Sequence, residues 1–215
     1  NPDWLLSFFN NPSIIRPNLQ VKMPSFHQIS DEEWDAIIAY FQHVDSENIN
    51  YRGIHQFDPE SMEFAAGAKL HEIGQCNSCH FYGEEFPTGD APTWAPNLAL
   101  TKERLNPGWV TEWLKNPGSI MPGTKMPAPY VPDSEILSME GAESDWGKAL
   151  VAIDGDTIAM LDGLRDYLWN IKGPTNIDAQ IKAYFAENGY DFDSESGDEY
   201  EDDDDDWGDD EEDDW

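Results

Sequence analysis

The chain has 215 residues, and its 44 aspartates and glutamates against 12 lysines and arginines give a formal net charge of −32 at pH 7. A field of this sign repels nucleic acids and anionic lipid, and it attracts cationic proteins at rates that fall as salt rises. The sequence contains no apolar run approaching the ~20 residues needed to span a bilayer. Its length allows about one and a half to two small domains plus a tail.

The first 44 residues combine a proline-rich segment with a predicted helix. The segment contains Asn1-Pro2-Asp3-Trp4, Asn11-Pro12 and Lys22-Met23-Pro24. Ser30 followed by Glu33 predicts a capped helix start, and the apolar residues that follow at helical spacing are Ile37, Ile38, Tyr40 and Phe41. Residues 45–59 are polar and contain turn formers, so they predict a linker.

A predicted helix over residues 60–74 leads into Cys76-Asn77-Ser78-Cys79-His80, which uses both cysteines of the chain. Two thiols at this spacing can each bond a haem vinyl group, and the next residue supplies an imidazole to the iron. A structural zinc site would need a second pair of ligands. A thioredoxin-like motif would follow a strand rather than a helix. The pentapeptide therefore predicts covalent attachment of a c-type haem.

Downstream, Met126 lies in the Pro/Gly-rich loop Pro122-Gly123-Thr124-Lys125-Met126-Pro127, from which a thioether could reach the opposite face of the iron. Pro96-Asn97-Leu98 lies between the two motifs. Residues 129–153 form a long insert, and inserts of this length are usually functional or disordered. Asp156 to Ile171 predicts another amphipathic helix, and Gly173-Pro174 follows it as a stop signal.

The C-terminal residues divide into two parts. Residues 174–190 predict a short amphipathic helical extension, with Ile177, Ile181, Tyr184 and Phe185 on one side. Residues 191–215 contain 17 aspartates and glutamates and no lysine or arginine, so this acidic tail is expected to be disordered when free. It is either a solubilising segment or a tether for a basic partner, with Trp207 and Trp215 as aromatic anchors.

The first 44 residues repeat part of the later sequence. Asn1-Pro2-Asp3-Trp4 and Lys22-Met23-Pro24 match Asn106-Pro107-Gly108-Trp109 and Lys125-Met126-Pro127, and the predicted helix after Met23 matches the one from Asp156. Such a repeat predicts the C-terminal half of a second domain. Either its haem-attachment half lies upstream on a longer polypeptide, or residues 1–50 are a relic that packs against something else.

Together, the Cys-x-x-Cys-His motif, Pro96-Asn97-Leu98 and the methionine loop resemble the class I (His/Met) c-type cytochromes over residues 60–173, in a tandem-domain arrangement with the first domain only partly present. The resemblance implies a mainly α fold, a small helical domain around covalent haem c. It implies that His80 and Met126 bind the iron and that the Pro96 carbonyl accepts from the second ring nitrogen of His80. Leu98, Trp109 and Trp113 would then lie at the haem or in the core beside it.

The repeat chooses between the two methionines of the loop, because Met126 aligns with Met23 whereas Met121 aligns with Arg16. Met23 is accordingly the candidate ligand of a second haem iron. The other histidines, His27, His43, His55 and His71, are interpreted as ordinary solvated or capped side chains.

The resemblance also implies a function. The chain is expected to transfer electrons through its haem as a subunit of a respiratory or photosynthetic membrane complex, on the periplasmic or outward-facing side, and not to be an enzyme by itself. Its expected partners are redox proteins with basic surfaces. Two alternatives stay open: a di-haem peroxidase-like enzyme, and an assembly or docking subunit with one functional haem.

Overall fold

The computed structural model describes residues 1–17, 23–48, 58–131 and 156–189, which are mainly helical. In chain order the α-helices of these ranges are α1 (Pro2–Asn10), α2 (Asp31–Asn48), α3 (Met62–Ile73), α4 (Thr101–Arg104), α5 (Pro107–Lys115), α6 (Pro117–Ile120), α7 (Thr157–Trp169) and α8 (Asp178–Glu187). Short 3₁₀ turns occur at Cys76–Ser78, Ala91–Thr93 and Leu98–Leu100. The mainly α class predicted from the sequence is confirmed.

Several predicted features lie outside the described residues. They are Lys22, residues 49–57 of the linker, residues 132–153 of the insert and the whole acidic tail, 191–215. Helix α2 ends at Asn48, so it continues into the segment that was predicted as a linker from residue 45. No proline or glycine occurs between Asp31 and Asn48 to stop the helix earlier. None of the helices in the described ranges is long and apolar enough to cross a bilayer.

The long helices begin where the sequence supplies capping side chains. Before α2, Ser30 Oγ accepts from the Glu33 amide at 3.3 Å, and a Glu33 carboxylate oxygen accepts from the Ser30 amide at 2.9 Å. This reciprocal pair is the capping box that the sequence predicts. Ser61 before α3 and Asp156 before α7 each accept from the amide three residues on, at 3.1 and 2.9 Å. Each cap satisfies a backbone donor that the helix leaves free.

Helices α3 and α7 cross with their backbones in contact. A Cβ atom on Gly67 would overlap the carbonyl of Gly163, and one on Gly163 would overlap the carbonyl of Glu63. The cluster buried around this crossing also takes residues from α5; its members are Ala66, Leu70, Val110, Leu114, Met160, Leu161, Leu164 and Leu168. The main core therefore forms where the first and last helices of the predicted haem domain meet.

A buried polar network connects α5 to α7. Arg165 is 1% exposed, and its Nη1 donates to Asp162 Oδ1 at 3.1 Å and to Thr111 Oγ1 at 3.3 Å. The Thr111 hydroxyl donates to the same Asp162 oxygen at 2.7 Å, and Arg165 Nε donates to Asp166 Oδ1 at 2.7 Å. A buried guanidinium needs such partners because desolvation of an unpaired charge is expensive.

Helix α8 packs onto the loop that follows His80. Its apolar side joins Phe81, Ala91 and Trp94 in a second buried cluster, to which it contributes Ile181 and Phe185. The Ile14 amide donates to a carboxylate oxygen of Asp178, at the start of α8, at 3.1 Å. The N-terminal segment and the C-terminal extension are thus joined at one place on the domain.

The internal repeat is visible in the local geometry of α1 and α5. Both helices have nine residues, start with an Asn-Pro pair whose asparagine side chain accepts from the amide two residues on, and end before another asparagine. On α1 the rings of Trp4 and Phe8 stack at 4.9 Å with 14° between their planes. On α5 Trp109 and Trp113 stack at 5.1 Å and 13°. The two copies therefore present stacked aromatic pairs at matching positions, a Trp–Phe pair in the first and a Trp–Trp pair in the second.

The first copy has an apolar cluster of its own between α1 and α2. Phe9, Trp34 and Ile38 are buried, and Phe9 stacks on Trp34 at 4.3 Å. Met23 packs half-buried against this cluster, just as Met126 packs half-buried against the main core. The two methionines thus pack alike. This similarity does not test whether Met23 binds a second haem iron, and that role stays a prediction.

We expect Gly163→Ala to destabilise the folded chain by about 3 kcal/mol, at the upper end of the range for overpacked sites. The added methyl meets backbone of α3, which cannot move away as a side chain can. The free energy of unfolding from urea titrations followed by circular dichroism measures this loss.

Gly118→Ala is the matched control, because a Cβ there would meet only the Asn116 side chain, at 3.8 Å. Alanine is the better helix former, so this variant should unfold at the wild-type urea concentration or slightly above it. Equal destabilisation by both substitutions would contradict the assigned crossing.

Candidate functional site

The Cys-x-x-Cys-His segment forms a tight turn directly after α3. Gln75 takes left-handed backbone angles, with φ at 47°, and reverses the chain into the 3₁₀ turn Cys76–Ser78. The His80 amide closes this turn by donating to the Cys76 carbonyl at 2.9 Å. Both thiols are free and half-buried. Burial is the main reason why the pKa of Cys76 is raised, and the neighbouring Cys79 adds to it, so Cys76 is a protonated thiol at neutral pH.

His80 is held by one strong hydrogen bond. Its Nδ1 lies 2.7 Å from the carbonyl oxygen of Pro96, which is the contact that the resemblance implied. Because a carbonyl only accepts, Nδ1 carries the hydrogen and the lone pair lies on Nε2. Burial lowers the pKa of His80, against a smaller opposing effect of the Pro96 hydrogen bond, so the ring is neutral at neutral pH. A neutral imidazole with a fixed tautomer is the form that binds metals.

Asn97 holds the loop that carries Pro96. Its Oδ1 accepts from the amides of Gly83 and Ala99, both at 3.0 Å, and its Nδ2 donates to the carbonyls of Gly83 and Pro174, both at 3.1 Å. The side chain is buried and uses both of its amide hydrogens. In the sequence Asn97 is visible only as the middle residue of Pro96-Asn97-Leu98, and its role as a centre of hydrogen bonds was not predicted. The local signal for this role was its position between Pro96 and Leu98, which were both predicted as site residues.

The predicted methionine ligand lies in an aromatic setting. Met126 packs against the main core together with Leu98 and Trp109, and its sulfur accepts from the indole Nε1 of Trp113 at 2.9 Å. Met121 lies apart from these contacts, and its sulfur is 3.9 Å from Nη2 of Arg16. The structure therefore separates the environments of the two methionines.

Leu98 connects the two halves of the site. Its amide donates to the carbonyl of Phe81, the residue after His80, at 2.9 Å, and its side chain packs against the cluster that Met126 also contacts. Cys76, Cys79, His80 and Pro96 form one group, while Leu98, Trp109, Trp113 and Met126 form the other. The sequence predicted all eight as site residues, and the structure brings them together in these two groups.

His71 differs from its interpretation as a solvated or capped side chain. It is half-buried on α3, its Nε2 is in hydrogen-bond contact with the Tyr82 hydroxyl, and its ring lies 4.7 Å from that of Tyr167. Burial, and then the nearby His80, lowers the pKa of His71, while burial chiefly raises the pKa of Tyr82. Both rings are therefore neutral, so the phenol donates and the imidazole accepts. The polar sequence around His71 hid this, because Tyr82 lies in the next loop.

Comparisons with known proteins give one partial match. Over 109 residues the chain is 34% identical to cytochrome c oxidase subunit 2 of Bacillus subtilis (strain 168), and the match covers 46% of this chain and 30% of that protein. The chain therefore spans less than a third of the length of this curated relative. No family model matches the chain. No solved structure matches it.

The pKa of His71 predicts a pH dependence of stability. Its folded-state pKa lies below the ordinary value of 6.5, so the unfolded chain binds a proton that the folded chain does not as pH falls through about 6.5. We expect the free energy of unfolding to fall with pH there, and His71→Phe to flatten that slope while keeping the ring contacts. Urea unfolding between about pH 5 and 7 measures the difference.

Tyr82→Phe is the control, because it removes the hydroxyl partner but leaves the buried imidazole in place. Its stability should still fall towards acid pH. A His71→Phe slope that equals the wild-type slope would show that this histidine does not contribute.

Proposed function

We propose that this chain attaches haem c covalently through Cys76 and Cys79 and transfers single electrons with His80 and Met126 as iron ligands. The observation that carries the proposal is the His80–Pro96 hydrogen bond, at 2.7 Å, beside two free thiols on the same turn. The donor set fits the group: two thiols for the thioether bonds, a neutral imidazole and a thioether sulfur. Bound haem c supplies one-electron chemistry, with a potential raised by a methionine ligand.

The chain's own residues then have defined roles. Pro96, fixed by Asn97, orients the imidazole of His80 by accepting from Nδ1. Trp113 holds the sulfur of Met126 by a hydrogen bond, and Leu98 and Trp109 pack beside it. With both iron ligands supplied by side chains, the site serves electron transfer rather than reaction with a small substrate. This arrangement favours an electron carrier over a peroxidase-like enzyme.

The proposed setting is an electron-transport complex. Similarity to a subunit of cytochrome c oxidase supports a redox role beside partner subunits. We place the chain on the periplasmic or outward-facing side because c-type cytochromes acquire their haem there. Its net charge of −32 suits redox partners with basic surfaces and excludes nucleic acid as a natural partner.

An assembly role for the first 44 residues is a second candidate. It rests on α2, where Tyr40 is 64% exposed and Phe41 is 44% exposed, although both are large apolar side chains. Exposed apolar residues of this kind commonly mark interaction sites. Haem content separates the two roles of this segment, since a docking function requires no second iron.

The proposal predicts one covalent haem per complete domain and a ligand that is lost with Met126. Produced in a host that attaches haem c, the full chain should keep its haem after denaturing extraction, whereas Cys76→Ala/Cys79→Ala should release it. Met126→Ala should abolish the weak charge-transfer absorption of iron–thioether bonding. It should favour ferric iron by at least about tenfold, or about 59 mV.

Met121→Ala is the matched control, because this methionine contacts Arg16 rather than Trp113. It should keep both the absorption and the potential. The ligand assignment is wrong if the two variants behave in the opposite way, and the absence of covalent haem from wild type overturns the proposed function.

A further prediction concerns the acidic tail. Deleting residues 191–215, which removes 17 of the 44 acidic residues, should slow electron transfer to a soluble cationic cytochrome by about tenfold or more at low ionic strength. At physiological salt the Debye length is about 8 Å, so the difference should shrink steeply. Stopped-flow rates across a salt series, with the haem spectrum as a check, measure this.

A chain of the same length with the tail acids changed to Asn and Gln serves as the control for charge. It should be as slow as the deletion. Equal rates for all three proteins at low salt would leave the tail with only a solubilising role.

A further inference from the structure

Helix α7 uses one face to hold α3. A Cβ atom on Gly163 would overlap the carbonyl of Glu63 on α3, so the two backbones touch there. One turn further along α7, the ring of Tyr167 lies 5.7 Å from that of Phe64 and 4.7 Å from that of His71, both on α3. Positions 163 and 167 are four residues apart, so they lie on the same side of the helix. This side of α7 is therefore a helix-binding face.

The corresponding face of α2 is exposed. When the two helices are aligned by their caps, Ile37 takes the position of Gly163, and Phe41 takes that of Tyr167. Phe41 is 44% exposed, and the neighbouring Tyr40 is 64% exposed. Three large side chains thus lie at i, i+3 and i+4 on one side of α2, and two of them face solvent. The second copy indicates that an α-helix is the element that packs on this side.

The charge of α2 determines which helices can bind there. Between Asp31 and Asn48 the sequence contains six aspartates and glutamates and no lysine or arginine. The acids occur at both ends of the helix, at positions 31, 32 and 33 and again at 45 and 47. Pairing with α2 of a second copy would therefore oppose acid to acid in either orientation, which is unfavourable. A helix that carries lysine and arginine beside its apolar side meets the opposite charge instead.

We propose that the exposed face of α2, formed by Ile37, Tyr40 and Phe41, binds a cationic amphipathic helix of a partner polypeptide. This inference rests on the assembly role proposed above as a second candidate, and it names the class of partner. The two aromatic rings pack into the apolar side of the partner helix. Ile37 keeps the two backbones further apart than those of α3 and α7. Burial of the rings supplies the affinity, and charge determines the choice of partner.

The probe is a synthetic helical peptide with leucines at i, i+3, i+4 and i+7 and lysines at the other positions. Its binding to the full chain is measured by isothermal titration calorimetry at physiological salt, which screens long-range attraction to the acidic tail. Tyr40→Gln/Phe41→Gln should weaken binding by about tenfold or more, because two aromatic rings are lost from the interface. Glutamine is a good helix former, so α2 itself is kept.

Tyr130→Gln is the matched control, because Tyr130 is 52% exposed but lies after the methionine loop rather than on α2. It should bind the lysine peptide as wild type does. The same peptide with glutamate in place of lysine should bind about tenfold more weakly or less. A central proline, which breaks a helix, should abolish binding of the lysine peptide.

Hydrogen exchange of the wild-type chain gives a measurement that needs no variant. With the lysine peptide, the amides of α2 should exchange more slowly, while those of α7 stay unchanged. Equal affinity for wild type and Tyr40→Gln/Phe41→Gln, equal binding of the glutamate peptide, or unchanged exchange in α2 would overturn the inference.

Analytical ultracentrifugation of the chain alone tests the other occupant of this face. A dimer that Tyr40→Gln/Phe41→Gln dissociates would assign the face to a second copy, which overturns the inference and leaves the assembly role intact. A monomer at the concentrations of the titration supports it. Haem attachment is scored separately, so its absence from wild type overturns the proposed electron transfer without changing the peptide result.

Discussion

The backbone contact between Gly67 and Gly163 determines where the rest of the proposed haem domain can lie. Since α3 leads into the turn with both cysteines, the crossing fixes the start of that turn relative to α7. The chain after α7 then returns to the loop that follows His80, where a Cβ on Gly83 would lie 2.9 Å from the Cα of Gly173. This second close approach brings the Pro174 carbonyl to Asn97, which holds the loop of Pro96. The crossing of two helices thus leads, through backbone contacts, to the orientation of His80.

Buried polar groups also determine how the loops are arranged around the helices. Asn97 joins three loop segments with four hydrogen bonds, and Arg165 joins α7 to α5 through Asp162 and Thr111. Loss of one member leaves its partners buried without hydrogen bonds, which costs about 1–3 kcal/mol per group and more for a charge. These networks therefore favour one loop arrangement, whereas apolar contacts alone tolerate several.

The features that the sequence predicts well are the local ones. Ser30 marks the start of α2 because its cap acts within three residues, and the turn of the cysteine motif closes within five. The Asn97–Pro174 bond and the Thr111–Asp162 bond join residues 77 and 51 positions apart, so no local pattern indicates them. His71 was misinterpreted for the same reason, because burial depends on what a helix packs against rather than on its own polarity.

The two copies of the repeat resemble each other in α1 and α5, but they differ at the position where α7 contacts the backbone of α3. Aligned by their caps, Ser30 and Asp156, the helices α2 and α7 place Trp34 with Met160 and Ile38 with Leu164, all of them buried. The same alignment sets Ile37 against Gly163. A helix packed on α2 at this position would meet the branched side chain of Ile37, whereas α3 meets only the backbone of Gly163. Such a helix must therefore cross α2 at a greater distance than α3 crosses α7. The first copy keeps the aromatic stack and the methionine, but it cannot reproduce the backbone contact that positions the Cys-x-x-Cys-His turn of the second.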